Sequence, residues 1–387
     1  MPTAYRNFIL APYPREVPDT IRPVRELVVI IPDLFLRDVG SDGPAAVAMA
    51  PATALTALRY AAPRLMRGGW RAMLARGVGR ADLALVDVAS VIDASLRIDA
   101  PVESAPDVVA DTVTDTVPDV WLAAPLHLLA GLKTLHFPAN GLLRLPPDEA
   151  AELSARFAEV FGADGLTLTP AGSAGFVLRG FAAPGTLTVD PARLIGDGLE
   201  ASLPAGAGSA ALRTLSSEIE MWLHDLPLNR RRELRGEPRI SSLWLWGGGQ
   251  PPRDPLTAIA SAADTDGAVR WARLLADDAW VQALARLAGV ESQPLGVSAD
   301  VAFDARLDEL FDRNEGSACV IAPLAGLDLE RYDRTCIAPV AAALAAGRLE
   351  RCVVAANDRW IAVSRGDRLR FWRPRRTWLA AVTEGGA

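Results

Sequence analysis

Lysine is almost missing from this chain. Lys133 stands alone within a total of 40 lysines and arginines, so Schiff-base or general-base lysine chemistry has one candidate. Arginine, which supplies the other fixed cations, keeps its proton but grips carboxylate and phosphate with a two-pronged fork. Histidine is equally scarce: there are three, His127, His136 and His224, and none follows residue 224. Cysteine is limited to Cys319, Cys336 and Cys352. An odd number with no C-x-x-C pair does not suit a disulfide framework and predicts reduced thiols in a cytoplasm. Long hydrophobic runs are absent too. The most apolar stretch, residues 120–132, is broken by Pro125 and His127 and is too short to span a bilayer. Residues 1–24 carry Pro2, Pro12, Pro14, Pro18 and Pro23 and no apolar h-region, so no signal peptide is expected there.

What is present is a globular composition. Of 387 residues, 50% are hydrophobic and 22% charged, enough for two or so domains. The net charge of -7 favours solubility and gives no general attraction to nucleic acid or acidic lipid. Residues 27–31 form an unbroken β-branched run before Pro32 and Asp33, the pattern of a strand buried on both faces in a parallel sheet. Residues 52–74 read as a helix that Pro63 must kink or split, and residues 83–91 as the next strand. In residues 101–119, Asp107, Asp111, Asp115 and Asp119 recur every four residues, which predicts an exposed acidic connection rather than a metal site.

A smaller α+β unit is expected over residues 120–204. It has strands at 133–137, 166–168 and 175–178, and a helix at 147–161 with acids in its first turn. Residues 209–226 are the strongest helix, with Leu212, Leu215, Ile219, Trp222, Leu223 and Leu226 on one face and Ser209 as its N-cap. Pro227 ends or restarts it. A strand at 242–246 then suggests a return to the main sheet. The expected organisation is an N-terminal extension (1–24), a first part of an α/β core (25–119), the insert (120–204) and the second part of the core (205–387).

One segment carries a functional signal. Residues 228–250 read LNRRRELRGEPRISSLWLWGGGQ. Arg230, Arg231, Arg232, Arg235 and Arg239 make a dense cationic patch opposed by Glu233 and Glu237. A short strand follows, then Gly247, Gly248 and Gly249, which let a backbone turn tightly or approach a ligand without Cβ clashes. Ligands of open α/β sheets sit beyond the carboxyl ends of strands. Asn229, Arg232, Arg235 and the three glycines are therefore the candidate anion-binding residues. The alternative is a solvated arginine-rich connection with a tight strand exit. No Gly-Lys-Ser/Thr follows, so this is not a P-loop.

The same segment resembles one shared by archaeal-type cofactor-independent phosphoglycerate mutases and RpfE-type regulatory proteins. Asn229, Arg232, Gly236, Trp244, Leu245, Trp246, Gly247 and Gly249 match it. Glu218, Met221 and the ending Phe371, Trp372 and Arg373 look more like the RpfE-type group. The resemblance implies an alkaline-phosphatase-like α/β core, mostly parallel, with a smaller inserted α+β domain. It also implies, for the mutases, two metal ions and a serine nucleophile, held by several Asp and His ligands. This chain departs from that pattern. It has Asp33 and Leu34 where the mutases have Asp-Gly, Pro191, Ala192 and Arg193 where they have Pro-His-Asp, and no histidine in its C-terminal third. Residues 122–127 also depart from the RpfE-type pattern, with two charges gone.

The expectation is a phosphoglycerate-mutase-like protein without the metal-dependent catalytic site. It would bind a small phosphorylated or carboxylate ligand or act as a regulator, with no catalytic residues, no metal, no cofactor, no nucleic acid and no membrane partner. The alternative is a mutase or phosphatase with a rebuilt site. His127 in its apolar stretch reads as a satisfied core histidine, His224 as a solvated or capping one. The run from Gly206 to Ala211 is too loose to be a dinucleotide site. The arginines interleaved with Trp372 and Trp378 read as a packed aromatic tail with solvated charges.

Overall fold

The computed structural model describes residues 26–31, 64–65, 69–98, 119–130, 135–138, 140–194, 202–249, 271–294, 317–321, 332–356, 359–369 and 372. The first strand, β1 (Glu26–Ile31), is followed by β2 (Arg64–Leu65), α1 (Gly69–Gly77) and α2 (Val88–Ile98). The middle of the chain supplies β3 (Val120–Leu126), β4 (Leu129–Ala130), β5 (Leu135–His136), α3 (Pro147–Phe161), β6 (Thr167–Pro170) and β7 (Phe176–Arg179). Then come β8 (Thr186–Leu187), β9 (Ala205–Gly206), α4 (Ser209–His224), α5 (Pro227–Leu234) and β10 (Ser242–Gly249). The last part holds β11 (Trp271–Leu275), α6 (Ala279–Ala288), β12 (Glu291–Gln293), β13 (Ser317–Ile321), α7 (Ala338–Ala346), β14 (Arg351–Ala356) and β15 (Arg359–Ser364).

Two sheets carry the α/β architecture. The larger runs β12-β11-β13-β1-β14-β15-β2. β1 lies parallel to both β13 and β14, with Leu27 opposite Ala318 on one side and Cys352 on the other. β11 is parallel to β12 and β13, while β15 pairs antiparallel with β14 and β2. A strand walled in by strands and helices must be apolar on both faces, which is why β1 is buried from Leu27 to Ile31. The smaller sheet runs β10-β3-β7-β6 and is antiparallel throughout.

Helices cover the smaller sheet for readable reasons. α3 opens on Pro147 with Asp148 and Glu149 in its first turn, where acids suit the positive end of the helix dipole. Its buried residues Ala150, Leu153, Phe157 and Phe161 follow helical spacing, as do Leu212, Leu215, Ile219 and Leu223 of α4. Both stripes pack on Trp121, Ala123, Leu243 and Leu245 of the sheet. The opposite face of β3 joins a cluster that runs through α2 and α6 to Val28 and Ile30 of β1. Each fully buried Leu, Ile or Phe in such clusters contributes about 1.5–3 kcal/mol.

Several expectations are corrected. Residues 83–91 are not a strand: a short helical turn at Ala81–Leu85 leads into α2, whose residues from Ala89 to Ser95 are all buried. In residues 52–74, the described part is strand β2 and then α1, which starts only at Gly69. Residues 209–224 are capped by Gly208, and Ser209 lies inside the helix without a capping hydrogen bond. The strand at 242–249 does not return to the larger sheet but pairs antiparallel with β3. Trp372 is 69% exposed rather than packed. Lys133, Asp33, Trp378 and the acidic ladder at Asp107, Asp111 and Asp115 lie outside the described residues. Among the described residues no helix is long and apolar enough to cross a membrane.

A buried carboxylate joins α2 to the smaller sheet. Asp93, with no side-chain exposure, meets Arg179 of β7 and, at 2.7 Å, Arg97 one turn along its own helix. Arg179 also donates to Thr169 Oγ1 at 2.9 Å. Asp93→Ala strands the Arg179 guanidinium at the seam between α2 and β7. A loss of about 3 kcal/mol is expected in urea unfolding, the usual cost of breaking a buried pair on one side.

Candidate functional site

Asn229, Arg232 and Arg235 are brought together, but around a carboxylate of this chain. Asn229 is buried on α5. Its Nδ2 donates to the Leu223 and Ile240 carbonyls, both at 2.8 Å, and its Oδ1 accepts from Ile240 N at 2.8 Å. These bonds tie the end of α4 to the approach of β10. The buried Arg232 donates from Nε to the Pro238 carbonyl at 2.8 Å and from Nη1 to Glu149 of α3. Arg235 reaches the other oxygen of Glu149 and pairs with Glu237 at 2.9 Å. Arg231 pairs with Glu152, one turn further along α3. The cationic patch is thus a clasp that locks α5 to the first turn of α3.

The glycine run lies elsewhere. Asn229 bonds to Ile240, before β10 begins, whereas Gly247 is seven residues further on, on the order of 20 Å along a strand. The glycines do not form a turn beyond the strand. They form an irregularity within it, because the pairing with β3 shifts between Trp246 and Gly249. Gly247 has φ +62° and donates its N–H to Thr188 Oγ1 at 3.1 Å. A Cβ on Gly248 would stand 2.3 Å from the Trp121 ring. One pocket shared by Asn229, Arg232, Arg235 and Gly247, Gly248 and Gly249 is therefore not assembled. The glycine side of the expectation is met by close packing on an indole.

A different set of residues does converge. A cavity of about 130 Å³ opens beside the smaller sheet, bounded by β3, β10, α1, α2 and the start of α6. Its charged and aromatic lining comprises Arg71, Arg144, Asp190, Asp277, Asp278, Trp246 and Trp280. Val88 and Ile92 of α2 and Leu122 of β3 supply apolar floor. The Arg71 guanidinium lies over the rings of Trp70 and Trp280, 4.8 Å and 5.7 Å from their centroids, held by cation–π attraction. Asp278 caps α6, accepting from Val281 N at 3.0 Å. Ser173 Oγ donates to the Asp277 carbonyl at 2.9 Å and so pins the turn between β6 and β7 against the start of α6.

The electrostatics of this wall are unusual. Burial pushes the Asp190 carboxyl up to about 6 from its usual 3.8. A hydrogen bond from Ala192 N and the Arg71 and Arg193 charges pull it back, while Asp278 adds to the rise. Burial raises Asp278 too, against Arg71 and backbone N–H groups of Val281 and Trp280. Arg71 Nε, Trp246 Nε1 and Trp280 Nε1 are buried donors with no acceptor among the described residues.

Sequence reasoning missed these residues because they come from separate segments with no shared motif. The traces that existed were local: Asp278 before an apolar helical run is an N-cap signal, and Asp190 before Pro191 is another.

The metal centre implied by the family resemblance finds no matching donor set among the described residues, and Asp33 lies outside them. Among the described residues no three His, Cys, Asp or Glu side chains gather as a metal site. His127 is half-buried, and its Nδ1 lies 3.0 Å from the Arg239 carbonyl oxygen. His136 is exposed on β5, and His224 sits in the last turn of α4. The described residues do not fit a dinuclear centre.

Two outcomes follow from this geometry. Arg232→Ala leaves Glu149 with a weaker set of partners in the clasp, and a stability loss of about 3 kcal/mol is expected in urea unfolding. For Asp190, a folded value above the free one favours the protonated folded state. That contribution is complete below about 3.8 and is lost as pH rises through about 6. Asp190→Asn should therefore stabilise the protein at pH 7.5, by on the order of 1–2 kcal/mol, and change little at pH 3.5. Chemical unfolding at the two pH values reads the difference.

No family model matches the chain. It is 35% identical over 69 residues to a probable 2,3-bisphosphoglycerate-independent phosphoglycerate mutase of Geobacter sulfurreducens, a match covering 18% of this chain and 17% of that protein. Among solved structures, it is similar to the cofactor-independent phosphoglycerate mutase of Thermoplasma acidophilum, at 13% identity and a TM-score of 0.37, over 89% of this chain and 90% of the other. It is also similar to the PH0037 protein of Pyrococcus horikoshii, at 11% identity and a TM-score of 0.46, over 95% and 93% of the two chains.

Proposed function

We propose that this chain is a phosphoglycerate-mutase-like protein that binds a small anion in the cavity beside its smaller sheet and acts as a cytoplasmic regulatory or sensing component rather than through metal-dependent phosphotransfer. The observation that carries this reading is the pair of arginines, Arg71 and Arg144, that line one cavity, since a guanidinium grips an oxyanion with two parallel donors. The short stretch of identity with a probable phosphoglycerate mutase supports the ancestry, as does the Asn229-to-Gly249 segment. Histidine scarcity supports the loss of a dinuclear centre. An alkaline-phosphatase-like lineage and kinship with RpfE-type regulators are part of the same proposal, resting on that segment alone.

One observation favours a second reading. A carboxyl that titrates near neutrality in a cavity beside an arginine is suited to general acid–base work, so the chain would be an enzyme with a rebuilt site. Turnover of phosphoglycerate above background, abolished in Asp190→Asn, would favour the enzyme.

The test of the anion site is thermal unfolding with 3-phosphoglycerate, inorganic phosphate and sulfate. A ligand held at a hundred times its Kd stabilises by about 2.7 kcal/mol, a shift of several degrees. Arg71→Met should abolish that shift and Arg232→Ala should keep it. The opposite pattern would move the site to the α5 clasp.

A further inference from the structure

A cavity that holds an anionic group must also accept the rest of the molecule carrying it. Beyond its charged residues, the lining here is mostly apolar. Val88 of α2, Leu142, Ala174, Trp246 of β10 and Ala279 of α6 all border the space. Each is partly buried and packs at the margin of an apolar cluster. Val88, Ala174 and Ala279 lie against the one shared by the two sheets, Leu142 against the one around Phe137, and Trp246 against both. Aliphatic side chains offer no partner to a ligand hydroxyl, and a hydroxyl placed against them loses water without compensation. A hydrocarbon placed there gains by leaving water.

The size of the cavity agrees. About 130 Å³ is close to the ~150 Å³ of an apolar cavity that takes up one benzene ring.

The charged part of the lining limits how much charge a ligand can bring. Arg71 and Arg144 supply two positive charges, and Asp190, Asp277 and Asp278 three negative ones when ionised. Two of these carboxyl groups are anchored within their own segments. Asp190 accepts from Ala192 N at 2.9 Å and Asp278 from Val281 N at 3.0 Å. A carboxylate with a single charge matches the fork of a guanidinium and adds the least repulsion from the aspartates. 3-Phosphoglycerate adds about two further charges on its phosphoryl group, each of them opposed by the same aspartates.

We infer that the cavity selects a small monocarboxylate with an apolar body, a short aliphatic or aromatic acid, in preference to a phosphorylated one. Arg71 and Arg144 hold its carboxylate, and its hydrocarbon part lies against Val88, Leu142 and Trp246. This inference rests on the anion-site reading and names the class of ligand for that site.

The test is isothermal calorimetry on the full chain with acetate, propionate, butyrate and valerate, beside butyramide, inorganic phosphate and 3-phosphoglycerate. Affinity is expected to climb roughly fourfold with each added CH₂, as burial of that group in an apolar site predicts. The heat-capacity change should grow more negative along the same series. Phosphate and 3-phosphoglycerate should bind more weakly than valerate, and butyramide more weakly than butyrate. Arg144→Met, a change at an exposed residue, should narrow the gap between butyrate and butyramide and leave the chain-length slope in place. An affinity that stays flat from acetate to valerate, or 3-phosphoglycerate binding tighter than every monocarboxylate, overturns the ligand class and leaves the anion site standing. Butyramide binding as tightly as butyrate, or no binding by any of these anions, overturns the anion site and this inference with it.

Discussion

One apolar cluster, shared by both sheets, is the constraint on which the rest of the molecule depends. Val28 and Ile30 of β1 and Leu122 of β3 belong to the same buried group, bridged by α2 and α6. Neither sheet can hide this face alone, so the two are held at a fixed separation by the helices between them. Asp93 and Arg179 fix α2 against the smaller sheet in polar terms. Arg80 ties the segment after α1 to α6, donating to the Leu287 carbonyl at 2.8 Å while gripping Asp82. The cavity opens beside this group, with Ile92 and Leu122 in its floor.

The arginine-rich stretch after α4 shows how charge density misleads when partners lie far away in sequence. Exposed pairs such as Arg235 with Glu237 are worth little, because water and salt screen them. Arg232 differs. It is 5% exposed and its guanidinium meets Glu149, which is equally buried at the start of α3. A buried charge of either sign is costly alone, so each is the reason the other is tolerated. The stretch is therefore a piece of architecture that joins α5 to α3.

Helices α3 and α4 were legible because one face of each is apolar at a plain period, and the first strand because it is an unbroken apolar run. Residues 147–161 match α3 to the residue, and residues 27–31 fall within β1. Strand β10 was recognisable as a strand but not by sheet. Leu243 and Leu245 pack toward α4, while Trp244 and Trp246 pack toward the other side. A strand apolar on both faces reads like one from a parallel core, and nothing local says which neighbour it takes. The misreading of residues 83–91 has the same origin, since alternating Leu, Val and Ala suit either period over so short a run. The candidate cavity was not legible at all. Arg71, Asp190, Trp246 and Trp280 are ordinary residues until tertiary packing removes their solvent.

The indoles of Trp246 and Trp280 have a consequence beyond shape. Indole emission moves to longer wavelength when polar neighbours surround the ring, and these two N–H groups are buried without acceptors among the described residues. Trp70 meets Trp280 edge-on at 5.6 Å, near enough for excitation to pass between them. A change at the start of α6 therefore reaches the intrinsic emission of the chain, to which its ten tryptophans all contribute.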